Sequence, residues 1–397
     1  VRGIVVKKGK GWYVVLEMKT EDGERDRKWR SPRKELGLKK PATKKQAEEL
    51  LIKLSHDLQQ GTYIAPNDMT FGELLDRWLD IHGKQNLAKT TYAIYASHIS
   101  KHIKPELGAI QVAKLKAFHL QQFYSKKLKG GRADKKDGGL SPKSVVGIHK
   151  VISSALKVAV TWEIVAKNVA ETISPPRVPE TPQETWTADH AQAFLRSIDG
   201  HRLRPLYVLA IATGMRRGEI LGLRWQDIDW NKGTIQIVQS MVATPDGPII
   251  TDTKTSSGRR SVVISGGLVA LLQEHQEKCR EEAAVLGTTT GDALNSNQLV
   301  FTSERGTPLN PRNLLRHFYS ACEHAGVPKI PFHALRHTHA TIMLKHGVHP
   351  KVVSERLGHS RVGVTLDIYS HVLPGMQAEA ADLVEQAVLP DKSKTLR

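Results

Sequence analysis

Cysteine is nearly absent from the 397 residues: Cys279 and Cys322 are the only two, and neither lies in a Cys-x-x-Cys pair. That excludes a disulfide scaffold and a zinc ribbon, and it predicts a reducing, cytoplasmic setting. Long apolar runs and a secretory leader pattern are also missing, so the expectation is a chain neither secreted nor membrane-spanning. Internal repeats and low-complexity tracts are lacking as well. Negative charge is scarce. Lys and Arg number 58 against 40 Asp and Glu, a net charge of +18 and a pI near 9.8. A chain this basic is suited to a polyanion, although charge alone also fits a basic protein with a merely solvated surface.

What is present is unevenly spread. Residues 1–64 carry a net +7, residues 65–182 a net +8, and residues 183–397 only +3. The excess therefore lies in front, as expected of binding modules that precede a more enzyme-like domain. The length suggests two or three domains.

Residues 1–64 read as strands at Val5–Val6, Trp12–Met18 and Arg25–Arg30, then a helix from Thr43 to about Gln59. A small sheet backed by one helix, with Lys and Arg on its strands, can enter a DNA groove; it is equally an ordinary αβ domain with a basic face. Residues 65–175 read as all-helical. Phe71, Leu74, Leu75, Trp78 and Leu79 recur at helical spacing, and further helices are expected at Lys89–His102, Ala117–Lys129 and Pro142–Thr161. Ser141 supplies an N-cap and Pro142 the first helical turn. The Pro-rich stretch 176–185 marks a linker. Residues 186–397 read as a mixed domain. Helices are expected at Ala188–Ser197, Leu203–Thr213, Leu268–Leu286, Asn310–Ala325, Leu335–His346 and Pro350–Leu357, with strands at Thr234–Val238 and Ser261–Ile264.

Four short segments could carry chemistry. In Thr213-Gly214-Met215-Arg216-Arg217-Gly218-Glu219, Gly214 can end one helix and place Arg216 and Glu219 on one face of the next. A rigid arginine fork there can hold a phosphate, but taken alone the spacing favours a surface ion pair. In His333-Ala334-Leu335-Arg336-His337-Thr338-His339, His333 and Arg336 share a helical face, and a second arginine could grip the same phosphodiester. Leu357-Gly358-His359-Ser360 is followed ten positions later by Tyr369; a lone tyrosine is nearly always structural. Finally, Thr251 to Ser261 reads as a polar turn between two strands, with Lys254 near its start, where a lysine is usually solvated. The histidine content of the second segment raises zinc as a rival. Yet no Glu follows His333, and Arg336 within the stretch would repel a cation.

Taken together, Arg216, Glu219, Lys254, His333, Arg336, His359 and Tyr369 resemble the tyrosine recombinase family of phage-type integrases in order, local motif and separation. The resemblance implies a multidomain, mostly α fold with small β-sheets. It assigns an α+β arm-binding domain to 1–64, an all-α core-binding domain to 65–175, a linker to 176–185 and a mixed α/β catalytic domain with a C-terminal tail helix to 186–397. It implies cleavage and rejoining of DNA through a 3′-phosphotyrosyl link and a Holliday junction, without metal, ATP or any other cofactor, to integrate or excise a phage or mobile element. Arg216, Lys254, His333, Arg336, His359 and Tyr369 would be catalytic and Glu219 supporting. The implied partners are double-stranded DNA at core and arm attachment sites, a homotetramer on that DNA, and an accessory DNA-bending or directionality factor; no membrane is implied. The setting would be the cytoplasm of a bacterial host cell. A tail segment, Met376–Val384, reads as an amphipathic helix that could dock on a neighbouring protomer or on its own domain. A type IB topoisomerase shares the tyrosine chemistry but has no need of residues 1–64. A DNA-binding regulator would not need all seven residues. A metal-dependent nuclease would be sensitive to EDTA.

Overall fold

The computed structural model describes residues 2–19, 25–36, 38–59, 68–130, 132, 137–179, 184–244, 247–252, 258–285, 298–359 and 361–369, with isolated positions 381, 384, 385 and 388. By its internal contacts the chain divides into two compact units, Val1–Pro179 and Glu180–Arg397.

The first unit contains two separate cores. Strands β1 (Arg2–Lys8), β2 (Gly11–Lys19) and β3 (Arg25–Arg30) form an antiparallel meander, with Val5 opposite Val14 and Val15 opposite Trp29. Successive residues of β2 face opposite sides, so Val14 and Leu16 pack on Ala47, Leu50 and Leu54 of helix α1 (Lys44–Gln59). The other face carries Tyr13 edge-on to Trp29, with Lys8 over the Trp29 ring at 5.2 Å.

The second core is helical. Helix α2 (Phe71–Arg77) starts on a capping box in which Thr70 and Glu73 satisfy each other's backbone N–H groups, and it runs on as a wider π turn over Trp78–Gly83. Helix α3 (Lys89–His98) continues in the same way over Ile99–Ile103, where one regular helix was expected. Helices α4 (Ala117–Lys129) and α5 (Pro142–Thr161) have the expected limits, and Ser141 caps α5 by accepting from the Ser144 N–H. On composition α5 is long and apolar enough to cross a membrane, contrary to the expectation of no such run. Its residues Val145, Ile148, Val151, Ile152, Ala155, Leu156 and Ala159 are nevertheless buried at core-helix spacing against Phe71, Trp78 and Phe123.

In the second unit, α6 (Ala188–Ser197), α7 (Arg204–Thr213) and α8 (Arg217–Leu221) precede two small sheets. Strands β4 (Ile228–Asp229), β5 (Thr234–Ile237) and β8 (Arg260–Val263) form one, in the order β4-β5-β8; β6 (Gln239–Thr244) and β7 (Gly247–Asp252) form a separate hairpin. Then follow α9 (Gly266–Val285), α10 (Pro311–His324), α11 (Ala334–Lys345), α12 (Pro350–Leu357) and α13 (Val362–Tyr369). Strand β4, the β6–β7 hairpin and α13 are additions to the expected elements. Thr251 and Asp252, expected in a turn, end β7. The tail segment Met376–Val384 lies mostly outside the described residues.

An aromatic cluster ties the site-bearing helices together. Trp186 lies 5.0 Å from Phe194 and 5.8 Å from Phe318, centroid to centroid, and Tyr207 stacks near Phe318. Buried Trp186 also donates its backbone N–H to Thr338 Oγ1 at 3.0 Å and its indole N–H to the Pro328 carbonyl at 2.8 Å. The segment leading into α6 is thereby bound to α11, the helix that carries Arg336.

Candidate active site

The site is built around the C-terminal end of α12. Like any helix end, it leaves carbonyls without partners inside the helix and carries partial negative charge. Three arginines from three other segments supply the donors. Arg260 Nε donates to the Arg356 carbonyl at 2.8 Å, Arg336 Nη2 to Leu357 at 2.6 Å, and Arg216 Nη2 to Gly358 at 3.1 Å. Arg336 also reaches the Gly214 carbonyl through Nη1 at 2.9 Å. Gly214 and Gly358 both adopt left-handed backbone, at φ 64° and 67°, which turns their carbonyls towards the arginines at low steric cost.

Arg216 occupies the N-cap of α8, with extended backbone and a side chain 40% exposed. Glu219, one turn on, is 3% exposed. It accepts the Arg216 backbone N–H at 2.8 Å and the Arg216 guanidinium at 2.7 Å, and it takes a two-pronged grip from Arg260 at 2.9 and 3.1 Å. Burial alone would raise the Glu219 carboxyl, but the hydrogen bonds and charge of Arg260, and the hydrogen bonds from Arg216, outweigh it and hold the group below its ordinary value. Arg336 is buried to 3% exposure, so a charge is held inside the fold by carbonyl dipoles.

The histidines are kept neutral. His333 precedes α11; burial and then the charges of Arg336 and Arg216 lower its pKa. His359 follows the clamped turn, with Nδ1 hydrogen-bonded to Thr365 Oγ1 at 2.8 Å. Burial, with Arg336 and Arg216, brings its pKa down to about 4. His339, buried between α7 and α12, sits with Nδ1 2.9 Å from the Ile211 carbonyl and accepts from Arg356 Nε at 3.3 Å, and burial first, then Arg356, takes it to about 4.

Thus Arg216, Glu219, His333, Arg336 and His359 come together from three segments. Tyr369 is the last residue of α13, which packs on α12. Lys254 lies outside the described residues, in the β7–β8 connection. The sequence reading missed Arg260, whose partners lie 41 and 96 residues away. Among the described residues no group of three or more His, Cys, Asp or Glu side chains could hold a metal ion. The arrangement favours an anion: an entering phosphate would meet half-buried Arg216 beside buried Arg336, with neutral imidazoles as hydrogen-bonding partners.

Residues 185–375 match the model of the phage integrase family, and residues 70–128 that of the phage integrase N-terminal SAM-like domain. A protein named tyrosine recombinase XerC-like, from Caldanaerobacter subterraneus subsp. tengcongensis, is 32% identical over 95% of this chain and 96% of its own length. The chain belongs to the tyrosine recombinases. It is a site-specific DNA recombinase. The ICEBs1 integrase of Bacillus subtilis is 27% identical over 87% of this recombinase and 90% of the relative. Among solved structures, the Tn1549 transposon integrase in complex with a circular intermediate DNA shares the fold at a TM-score of 0.63. It is 20% identical and covers 79% of this chain and 99% of that one. A lambda integrase dimer bound to a COC′ core site shares it at 0.53, with 19% identity over 92% and 93%. The multidomain, mostly α architecture with small sheets is that of these proteins.

Proposed function

We propose that Tyr369 is the nucleophile and that the ring of groups at the end of α12 is its phosphate site. The observation that carries this reading is the convergence of Arg216, Arg336 and His359 on one clamped turn, with Tyr369 on the helix that follows it. Arg216 and Arg336 bind the non-bridging oxygens of the scissile phosphate, and their charge acts most strongly on the dianionic pentacoordinate transition state. The Tyr369 oxygen attacks phosphorus, a 3′-phosphotyrosyl bond forms, and the bond to the 5′-oxygen breaks. Lys254 gives that oxygen its proton. His333 assists proton transfer with Tyr369, and His359, its ring fixed by Thr365, hydrogen-bonds the phosphate through Nε2. Glu219 orients the arginines. A 5′-hydroxyl from a second duplex reverses the step, which gives strand exchange through a Holliday junction within a homotetramer. A lambda integrase tetramer bound to a Holliday junction has this fold at a TM-score of 0.53.

The remaining assignments follow the division of charge. Residues 1–64 bind arm-type DNA through the sheet face that presents Lys8, Tyr13, Arg27 and Trp29; residues 65–175 bind the core site; 176–185 link them to the catalytic domain, 186–397. The enzyme acts in the cytoplasm of a bacterial cell on the DNA of a phage or other mobile element, with an accessory factor bending the DNA or setting direction. The decisive experiment is incubation of wild type and Tyr369→Phe with a nicked attachment-site duplex, scored for covalent protein–DNA adduct. Wild type forms the adduct. The variant binds the duplex but forms none; an adduct with Tyr369→Phe refutes the assignment.

A further inference from the structure

We propose that Arg260 is a positioning residue for the cleavage step: it takes up the charge of Glu219 so that Arg216 keeps its own for the phosphate. This rests on the reading of Arg216 as a phosphate ligand. Arg260 opens β8 and is almost fully buried, with its side chain 7% exposed. Its guanidinium fork spans two partners at once. Nη1 and Nη2 hold both oxygens of Glu219, at 3.1 and 2.9 Å, while Nε holds the Arg356 carbonyl at 2.8 Å. A planar fork meeting a carboxylate by two parallel bonds is the strong form of this pair, which a lysine cannot reproduce.

The geometry joins three parts of the site. Glu219 caps α8 and thereby sets the backbone of Arg216. Arg356 adjoins Leu357 and Gly358, whose carbonyls hold Arg336 and Arg216. Arg260 also ends the β7–β8 connection that contains Lys254, so its burial fixes one stem of that loop. Without Arg260, the buried Glu219 carboxylate keeps Arg216 as its guanidinium partner. The pair then tends towards neutrality, and Arg216 has less charge to offer an entering anion. Arg260 touches neither DNA nor the reacting atoms in this account; it acts through Glu219 and the end of α12.

The test uses the full chain and a labelled, nicked duplex from the element's own attachment site. Single-turnover adduct formation, duplex affinity and thermal unfolding are measured side by side. Arg260→Gln is expected to slow adduct formation by about 100-fold while duplex affinity changes by less than about threefold. The double variant Glu219→Gln/Arg260→Gln removes the stranded carboxylate, and the carboxamide oxygen put in its place can still accept the Arg216 N–H. It is expected to form adduct at least about tenfold faster than Arg260→Gln. Being charge-balanced, the double variant stays interpretable if the single one unfolds: recovery to within about tenfold of wild type then supports the proposal. Arg260→Lys, which keeps the charge but not the fork, is expected to fall between wild type and Arg260→Gln. A purely structural role would move unfolding and leave no recovery in the double variant. A rate for Arg260→Gln within about threefold of wild type, or a double variant no faster than the single, overturns the proposal. Tyr369→Phe is run alongside: an adduct there overturns the nucleophile assignment, whereas an Arg260 failure beside an inert Tyr369→Phe overturns only the positioning role.

Discussion

Replacing Gly214 by alanine tests the packing behind the arginine clamp. The residue holds φ at 64°, and a Cβ built there would lie 2.6 Å from Leu357 Cδ2 and 2.8 Å from His339 Cδ2. Both neighbours are buried, and both touch the end of α12 or the contact beside it. The left-handed backbone alone costs a non-glycine residue roughly 1–2 kcal/mol. Forcing a methyl group into a filled core adds roughly 1–3 kcal/mol. Gly200 supplies the control: its φ is 73°, but nothing lies within 4 Å of its Cβ position, so Gly200→Ala carries only the backbone part. For a unit of this size each kcal/mol moves the melting temperature by about 2–4 °C, so Gly214→Ala is expected to fall by roughly 4–20 °C and Gly200→Ala by roughly 2–8 °C. Differential scanning calorimetry of the two variants and wild type measures the gap. Adduct formation on a nicked duplex should drop for Gly214→Ala alone, because the Gly214 carbonyl holds Arg336. Equal melting temperatures for the two variants would refute the packing argument.

Acid should weaken the fold in a defined window. His339 and His359 ordinarily titrate near 6.5 but lie at about 4 in the folded chain, so the unfolded chain binds more protons between those values. The contribution of these two histidines is therefore constant above pH 7 and is lost as the pH drops from 6.5 towards 4; for deeply buried His339 the loss at pH 5 is about 2 kcal/mol, read as a lower urea midpoint. The His339→Gln variant should lose part of that slope. Deleting residues 1–64 should leave the footprint over the core site and remove the one over arm sites; unchanged footprints at both would exclude the arm role. Adduct formation should survive excess EDTA, and its loss, restored by a divalent cation, would point to a metal-dependent step.

The helices were legible in the sequence because their signals are local. Ser141 and Pro142 fix the start of α5, and Gly214 and Gly358 the ends of α7 and α12. The wider turns at Trp78–Gly83 and Ile99–Ile103 leave no mark on apolar spacing and were read as regular helix. The β6–β7 hairpin was missed because its larger apolar residues come as adjacent pairs, Met241-Val242 and Ile249-Ile250, so the sequence shows no apolar–polar alternation. For the site, residue types and order sufficed to nominate Arg216, His333, Arg336 and His359. They could not show what these residues hold. Beyond Glu219, the acceptors of the two arginines are main-chain carbonyls 21 to 142 positions away, which have no letter in a sequence. Arg260 was hidden by distance, its partners lying 41 and 96 positions away, and by Arg259 beside it, whose side chain is largely exposed and pairs with Asp252.

The clamp at the end of α12 also decides which positions can change. A main-chain carbonyl persists whatever side chain its residue bears, so a substitution at Leu357 alters packing, and one at Arg356 loses that side chain's own bonds to His339, Val263 and Ala212, but neither removes an acceptor from Arg260 or Arg336. What the arginines require is the path of the backbone, and that path turns on Gly214 and Gly358. The acceptors are thus robust to change along the helix and fragile at two glycines, neither of which has a side chain to offer the DNA.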